Sequence, residues 1–446
     1  MNKIINHLSN VKIIAIGFAV IILIGTLLLM LPISSHAYSI SFIDALFTAT
    51  SASCVTGLVV VDTYQYWTLF GQLIILLLIQ IGGLGFITIG VFFASYLKKK
   101  ISLKQRGLIE ESVNTLHLSG GVRLVKRIIK GTFFFETLGA VLLSSVFIKD
   151  FGLVKGIYYG IFHSVSAFCN AGFDLFGYME PYCSLVYYAD NILVNTVIML
   201  LIVIGGIGFI VWDDIFEHKL YIHRYLLQTK VVLLTTFLLI VLGTLFFYVF
   251  EYHYSLSGLS FNEQILASCF QSITARTAGF NTLDVTKMST AGKLLLMLLM
   301  FVGGSPGSTA GGIKTTTFAV LIVFIYSVIS NKTECNIFNR RFEIDVIKKA
   351  CTVLLMNLML VVIGVISISF FQSELLLEDI LFEVFSAMGT VGISTGITRN
   401  LVLSSKIVII ILMYSGRVGS LTFALSLTRR KNVKKCINPS EKIAIG

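Results

Sequence analysis

Four glycines, each followed at once by a bulky apolar residue, recur at nearly equal distances along this chain of 446 residues. The intervals between them are 115, 107 and 113 residues, and each glycine lies between two long hydrophobic segments. The four stretches are Val55-Thr56-Gly57-Leu58, Asn170-Ala171-Gly172-Phe173, Thr277-Ala278-Gly279-Phe280 and Thr390-Val391-Gly392-Ile393. Repetition at this period predicts four copies of one structural unit, which can surround a common axis.

The composition of the chain indicates that it folds in lipid rather than in water. Hydrophobic residues make up 56% of the sequence, charged residues only 13%, and the mean hydropathy is +0.89, as expected of an integral membrane protein. A helix needs about 20 apolar residues to cross the hydrocarbon core. Eight runs with at most one charge qualify, namely residues 13–31, 70–97, 131–148, 192–212, 231–250, 294–330, 350–373 and 407–428. The sequence therefore predicts an all-α membrane protein with eight transmembrane helices.

A short segment before each glycine stretch is expected to form a helix that enters the membrane without crossing it. These segments are residues 45–54, 157–168, 264–274 and 379–388, and each is too short to span. The pattern predicts four membrane-pore-membrane repeats, 1–97, 98–212, 213–330 and 331–446, arranged with pseudo-fourfold symmetry around one pore. Their re-entrant pore loops lie near 45–62, 157–176, 264–284 and 379–397.

The glycine stretches fit the backbone of an ion filter. Non-helical backbone at membrane depth is tolerated only where it lines a cavity or is buried in protein, and converging carbonyls can replace the hydration shell of a cation. Glycine allows the loops to approach closely, while the bulky residue after it is expected to pack behind the loop. The predicted filter comprises Val55, Thr56, Gly57, Asn170, Ala171, Gly172, Thr277, Ala278, Gly279, Thr390, Val391 and Gly392. The alternative is that these glycines serve only close helix packing.

A second motif predicts a gate. Five glycines and one proline interrupt a hydrophobic run at residues 303–314, where a helix cannot continue. The second helix of the third repeat is therefore expected to be broken there, with the segment lying in the pore below the filter as a mobile plug. The predicted gate residues are Gly303, Gly304, Ser305, Pro306, Gly307, Ser308, Thr309, Ala310, Gly311, Gly312, Lys314 and Arg417.

Four ionisable residues at membrane depth need partners. Arg417 aligns with the second glycine of Gly-Gly motifs in the other repeats, so it should face the axis. We expect it both to anchor the plug and to form a positive barrier. Lys314 competes for that role or extends to the cytoplasmic surface. We expect Glu136 to make an interhelical contact rather than an ion site, and His163 to be a structural residue with satisfied hydrogen bonds.

The distribution of charge predicts the orientation. Of 34 Lys and Arg residues, 25 fall in the intervals that share a side with both termini, which places the termini in the cytoplasm. The inner intervals sum to +16 and the outer intervals to −6, and a net-negative mouth suits a cation. The basic clusters flank spans rather than forming a soluble domain, so we expect membrane lipid and no nucleic acid as a partner.

Other functional classes explain the sequence less well. Gly303-x-Ser305-x-Gly307 matches a hydrolase elbow and residues 307–315 nearly match a phosphate loop, but the required strand, histidine and lysine spacing are missing. We therefore expect no enzyme, and no cofactor in this chain. An alternating-access transporter is the remaining alternative, and it predicts broken helices in both halves, whereas the sequence indicates one strongly broken helix.

At these residues the chain resembles the Trk/Ktr/HKT family of potassium transporters, and within it the membrane subunits of bacterial Ktr systems. The similarity covers almost the whole length and is carried by residues 56–62, 170–174, 276–284, 303–314 and 389–392. It implies a channel-like subunit for potassium uptake across the cell inner (plasma) membrane, with potassium at the filter and sodium as a possible transported or coupling ion. It further implies a homodimer and a cytosolic nucleotide-binding regulatory ring resembling KtrA.

Overall fold

The computed structural model describes residues 9–37, 40–97, 106–108, 110–111, 121–332 and 334–427, and these are mostly α-helical. Most of residues 98–120, and the basic tail after residue 427, therefore lie outside the described residues. A short hairpin of β1 (Asn336–Ile337) and β2 (Arg340–Arg341) pairs antiparallel between two long helices.

The principal helices follow one order four times: a long helix, a short helix, and a second long helix with a break. In the first two quarters they are α1 (Asn10–Leu29), α2 (Phe42–Ser53), α3 (Thr63–Tyr66), α4 (Leu69–Leu84), α5 (Phe86–Tyr96), α6 (Gly121–Phe151), α7 (Leu153–Phe168), α8 (Ile192–Gly206) and α9 (Phe209–His218). In the last two they are α10 (Leu227–Glu251), α11 (Phe261–Thr274), α12 (Thr290–Phe301), α13 (Thr315–Ile329), α14 (Ile344–Phe371), α15 (Leu377–Gly389), α16 (Leu403–Val418) and α17 (Ser420–Leu427).

Helices long and apolar enough to cross a membrane are α1, α6, α10 and α14. Two further candidates, α4 with α5 and α8 with α9, pass the same criterion only as pairs bent by 90° and 93°. Among the described residues the structure thus offers four spans, or six if each bent pair counts as one, together with the shorter apolar helices α12 and α13. The chain is a multi-pass membrane protein, and the count of eight spans stays a prediction.

The expectation of a single strongly broken helix is wrong. Gly85, Gly208 and Gly419 separate α4 from α5, α8 from α9 and α16 from α17, and their φ angles are 79°, 97° and 93°. A left-handed residue cannot continue the hydrogen-bond ladder of a right-handed helix, and glycine adopts this conformation without strain. Residues 70–97 and 192–212, which we predicted as continuous spans, are therefore bent.

The short helices expected before the glycine stretches are present as α2, α7, α11 and α15. Each ends within one residue of its predicted end but begins two to four residues earlier. Capping explains the earlier starts in two of them: Ser41 accepts a hydrogen bond from the Asp44 N–H, and Ser260 with Glu263 forms a capping box. One phenylalanine on each helix, Phe47, Phe162, Phe270 and Phe382, is fully buried.

Candidate functional site

The four glycine stretches meet in a closed ring. Each glycine lies against the backbone carbonyl of the residue that precedes the next glycine: Gly57 against Ala171, Gly172 against Ala278, Gly279 against Val391, and Gly392 against Thr56. A methyl group on any of these glycines would overlap that carbonyl oxygen. Because glycine has no side chain, four separate parts of the chain can approach each other this closely. The first loop contacts the second, the second the third, the third the fourth, and the fourth the first.

Each loop repeats the same backbone conformation. The ring glycines have φ between 69° and 95°, and the residue two positions earlier is also left-handed in every loop. These earlier residues are Val55, Asn170, Thr277 and Thr390, with φ of 56°, 59°, 81° and 52°. Left-handed conformations cost β-branched residues free energy and persist only where the surroundings impose them. The loops are therefore held in shape by their neighbours rather than by local preference.

Hydroxyl groups on the short helices brace the loops, a feature that we did not anticipate from the sequence. The hydroxyls of Ser51 and Ser386 accept hydrogen bonds from the Gly57 and Gly392 N–H groups at 3.1 and 3.0 Å. Those of Ser166 and Thr274 donate to the carbonyls of Phe173 and Phe280, both at 2.7 Å. A Ser or Thr five or six residues before every ring glycine was the available signal.

The side chains around the ring are of two kinds. Some are apolar and pack behind the loops, and others are hydroxyl groups without a hydrogen-bond partner among the described residues. Leu58, Phe173, Phe280 and Ile393 are each no more than 1% exposed, as expected of residues that pack behind the loops. The hydroxyls of Thr56 and Thr390 are buried and have no hydrogen-bond partner among the described residues. Buried polar atoms are normally satisfied, so these two hydroxyls suit contact with water or an ion.

Residues 303–314, which we call the plug segment, lie between α12 and α13 on one side of the ring. The Gly303 N–H donates to the Ile313 carbonyl at 2.9 Å and closes the base of the segment. The Ser305 N–H reaches the Gly206 carbonyl at 2.9 Å, and the Thr309 hydroxyl reaches the Phe168 carbonyl at 3.1 Å. Gly311 packs directly against the side chain of Thr390. The plug segment therefore contacts the inner residues of the loops.

Arg417 joins the plug segment to the first quarter of the chain. Its guanidinium donates to the Thr309 carbonyl and to the carbonyls of Gly82 and Gly83, the latter at 3.0 Å. This geometry matches the anchoring interpretation made from the sequence. Lys314 does not extend to the surface, because its ammonium turns back to the carbonyls of Ala310 and Gly311 at 2.8 and 3.3 Å. Both cations therefore hold the plug segment through backbone oxygens.

The two other ionisable residues behave as expected. Glu136 on α6 accepts a hydrogen bond from the Gln80 amide on α4 at 3.2 Å, which makes it an interhelical contact. His163 on α7 lies 2.7 Å from the Tyr159 carbonyl through Nδ1, and its Nε2 accepts from the Leu175 N–H at 3.3 Å. Its ring also stacks on Phe176, so His163 fixes the chain that follows the second loop.

A cavity lies on each side of the ring. The larger, about 320 Å³, is lined by plug residues with Arg417 and the helix breaks. The smaller, about 80 Å³, is lined by all four ring glycines and by polar residues of the chain beyond them, and we call it the mouth cavity. Its ionisable side chains are Asp62, Asp174, Tyr182 and Arg399.

Two carboxylates in the mouth cavity differ in their environment. Asp62 accepts backbone N–H groups of Tyr64, Gln65 and Tyr182 at 2.8 to 2.9 Å, so its oxygens are occupied. Burial, with a smaller contribution from the negative charge of Asp62, raises the pKa of Asp174 to about 7. Asp174 thus lines the mouth cavity with a carboxyl group of raised pKa, and its Oδ1 accepts the Phe176 N–H at 3.1 Å.

Comparisons with known proteins concern the family and the overall fold of the chain. The model of the TrkH family, described as a cation transport protein, matches residues 6–435. The chain is 42% identical to the potassium/sodium uptake protein NtpJ of Enterococcus hirae over 99% of this chain and 98% of that protein. It is 40% identical to the Ktr system potassium uptake protein B of Bacillus subtilis over 95% and 94%. The crystal structure of the potassium transporter TrkH from Vibrio parahaemolyticus has the same fold, with a TM-score of 0.72 at 19% identity, covering 92% of this chain and 84% of that one.

Proposed function

Because the chain belongs to the TrkH family of cation transport proteins, we propose that it is a KtrB-type potassium uptake subunit, a channel-like translocating protein rather than an enzyme. In this proposal four membrane-pore-membrane repeats, 1–97, 98–212, 213–330 and 331–446, surround one pore. Eight helices cross the plasma membrane, with α12 and α13 forming the broken second span of the third repeat. The termini are cytoplasmic, so the mouth cavity faces outward.

The observation that carries this proposal is the closed ring of four glycine loops. Each loop presents backbone to its neighbour at a distance that only glycine permits, and cavities lie on both sides of the ring. Carbonyl oxygens that converge on one axis can replace the hydration shell of a potassium ion, and the unpartnered hydroxyls of Thr56 and Thr390 add to the supply of oxygen ligands. We assign the filter to the twelve residues predicted from the sequence.

The names of the relatives support the choice of ion. One is a potassium/sodium uptake protein and another a potassium uptake protein. Potassium is therefore the proposed transported ion, and sodium a transported or coupling ion. Glycine stands in all four loops, and a side chain in one of them would displace the neighbouring carbonyl, so discrimination between the two ions depends on the ring as a whole.

The plug segment is the proposed gate. It contacts the loops at Thr390, and its carbonyls are held by Arg417 and Lys314, which places two positive charges on the inner side of the ring. Hydrogen bonds hold most of the segment, and its buried apolar side chains are those of Ala310 and Ile313. We infer that such a segment can open at a cost in free energy below that of global unfolding. Regulation is proposed to come from a cytosolic nucleotide-binding ring resembling KtrA, which would dock on the basic inner face of a homodimer.

Alternating access is a second candidate, because helix breaks at Gly85 and Gly208 in one half and at Gly419 in the other match the broken helices of such transporters. The two mechanisms differ in rate and in driving force. A channel-like subunit passes many ions down the membrane potential without a conformational cycle for each, so its flux saturates only through ion binding in the pore. Alternating access needs a conformational cycle for each ion, which limits the turnover rate.

The test is ion flux into proteoliposomes that contain the purified protein. We expect potassium flux driven by an imposed potential, and a lower potassium-to-sodium ratio in Gly57→Ser and Gly279→Ser at unchanged protein yield. Unchanged selectivity in both variants would argue against the filter, and a flux that saturates at a slow turnover rate would favour alternating access.

A further inference from the structure

A short loop of the second quarter bridges the mouth cavity. We call residues 182–185 the bridging loop; Tyr182 and Ser184 line the cavity alongside the ring glycines. Both residues are left-handed, with φ of 63° and 50°. Neither residue type adopts this conformation readily, so contacts with the rest of the molecule must impose it.

The bridging loop contacts each of the three other quarters. The Tyr182 N–H donates to Asp62 of the first quarter at 2.9 Å. The Asn281 N–H of the third quarter donates to the Ser184 hydroxyl at 3.1 Å, and the Leu185 N–H donates to the Asn281 carbonyl at 2.9 Å. From the fourth quarter, the Arg399 guanidinium lies 3.6 Å from the centre of the Tyr182 ring. The bridging loop is therefore held in place over the mouth cavity by contacts with the three other quarters.

Arg399 places a positive charge in the lining of the mouth cavity, which a transported cation has to cross. Among the described residues, no carboxylate lies within salt-bridge distance of its guanidinium, and its contact is with the face of an aromatic ring. The face of a tyrosine ring attracts a cation without neutralising it. The field of Arg399 therefore opposes the approach of a second cation to the mouth cavity, while Asp62 and Asp174 on the same cavity attract it.

We propose that Arg399, held over the ring of Tyr182, is a tethered cation that sets the apparent affinity of the pore for an external monovalent cation. This inference rests on the proposed transport function and adds an affinity-determining pair outside the filter. An incoming ion meets the guanidinium before it reaches the glycine ring. The bridging loop fixes where that charge stands, because its backbone is tied to the first and third quarters.

The experiment measures initial rates of potassium uptake against external potassium in cells that lack other uptake systems, at low and high ionic strength. For Arg399→Gln we expect KM to fall about threefold to tenfold at low ionic strength, with a smaller change at high ionic strength because salt screens an exposed charge. Tyr182→Leu, which keeps the charge but removes the ring that holds it, should lower KM in the same direction. Tyr182→Phe keeps the aromatic ring, so its KM should equal that of the unchanged protein.

The control for charge alone is Lys287→Gln, which removes one positive charge from the same side of the protein at a residue outside the cavity lining. Its KM should stay within twofold of the unchanged protein. A KM in both Arg399→Gln and Tyr182→Leu equal to that of the unchanged protein would overturn the proposal, as would an equal fall in Lys287→Gln. Absence of uptake by the unchanged protein would instead refute the proposed function, and the inference with it.

Discussion

The ammonium of Lys406 lies 2.6 Å from the carboxylate of Asp44, although 362 positions separate the two residues. An equivalent pair joins Lys293 to Glu378 at 3.0 Å. Each lysine follows a ring glycine by fourteen positions, and each acid lies in the first turn of the short helix of the next quarter. The two ion pairs thus link the third quarter to the fourth and the fourth back to the first.

We expect Lys406→Met to destabilise the protein by about 1 to 3 kcal/mol, because it leaves the partly buried Asp44 carboxylate with the Ser41 hydroxyl but without its cation. Thermal unfolding of the purified protein in detergent measures the loss. The double variant with Asp44→Asn should be less unstable than the sum of the two single changes. Lys287→Met, in an exposed pair with Asp284, is the matched control and should unfold like the unchanged protein.

Removing a hydroxyl that braces a loop should loosen the ring. In Ser386→Ala the Gly392 N–H loses its acceptor, at a cost of about 1 kcal/mol, and we expect a lower potassium-to-sodium flux ratio. Ser367→Ala removes a hydroxyl that bonds only within its own helix and should not alter the ratio. Equal selectivity of the two variants in the flux assay would contradict the bracing role.

Freeing the plug segment should raise the resting flux. Arg417→Gln loses the bonds from the guanidinium to the carbonyls of Thr309, Gly82 and Gly83, and deletion of residues 304–311 removes most of the segment. Both changes should increase potassium flux into proteoliposomes in the absence of any regulator, with an unchanged potassium-to-sodium ratio because the ring remains. A resting flux that stays at the level of the unchanged protein would rule out a gate at this position.

External acid should weaken uptake through Asp174. Because its pKa is raised to about 7, first by burial and then by the charge of Asp62, the carboxylate is ionised above that pH and neutral below it. Tyr182, Cys183 and Arg399 are the other ionisable groups nearby, and burial raises the pKa of the Cys183 thiol to about 12, so it stays neutral. KM for potassium should rise by about threefold from pH 8 to pH 6.

Asp174→Asn should have, at both pH values, about the raised KM that the unchanged protein has at pH 6, and should therefore lose most of this dependence. Asp284→Asn serves as the control, since Asp284 lies outside the lining of the mouth cavity and its pKa is lowered by hydrogen bonds from Thr286 and by Lys287. A pH profile of Asp174→Asn that is identical to that of the unchanged protein would show that another group titrates.

The sequence predicted the parts of the site that depend on residue type at a fixed spacing. The ring glycines could be found because no other residue allows such an approach, and Arg417 because it replaces a glycine of the repeated motif. The left-handed conformation of Val55 and Thr390 could not be found, since it contradicts local preference and is imposed by the assembled loops. The bends at Gly85 and Gly208 were missed because hydropathy measures length and not direction.

Each ring glycine touches the loop after it, and the last touches the first. A change in any one ring loop therefore acts on the loops on both sides of it, because the ring is closed. The four ring loops therefore constrain one another, and we expect a tolerated substitution at a ring glycine to require a compensating change in an adjacent loop.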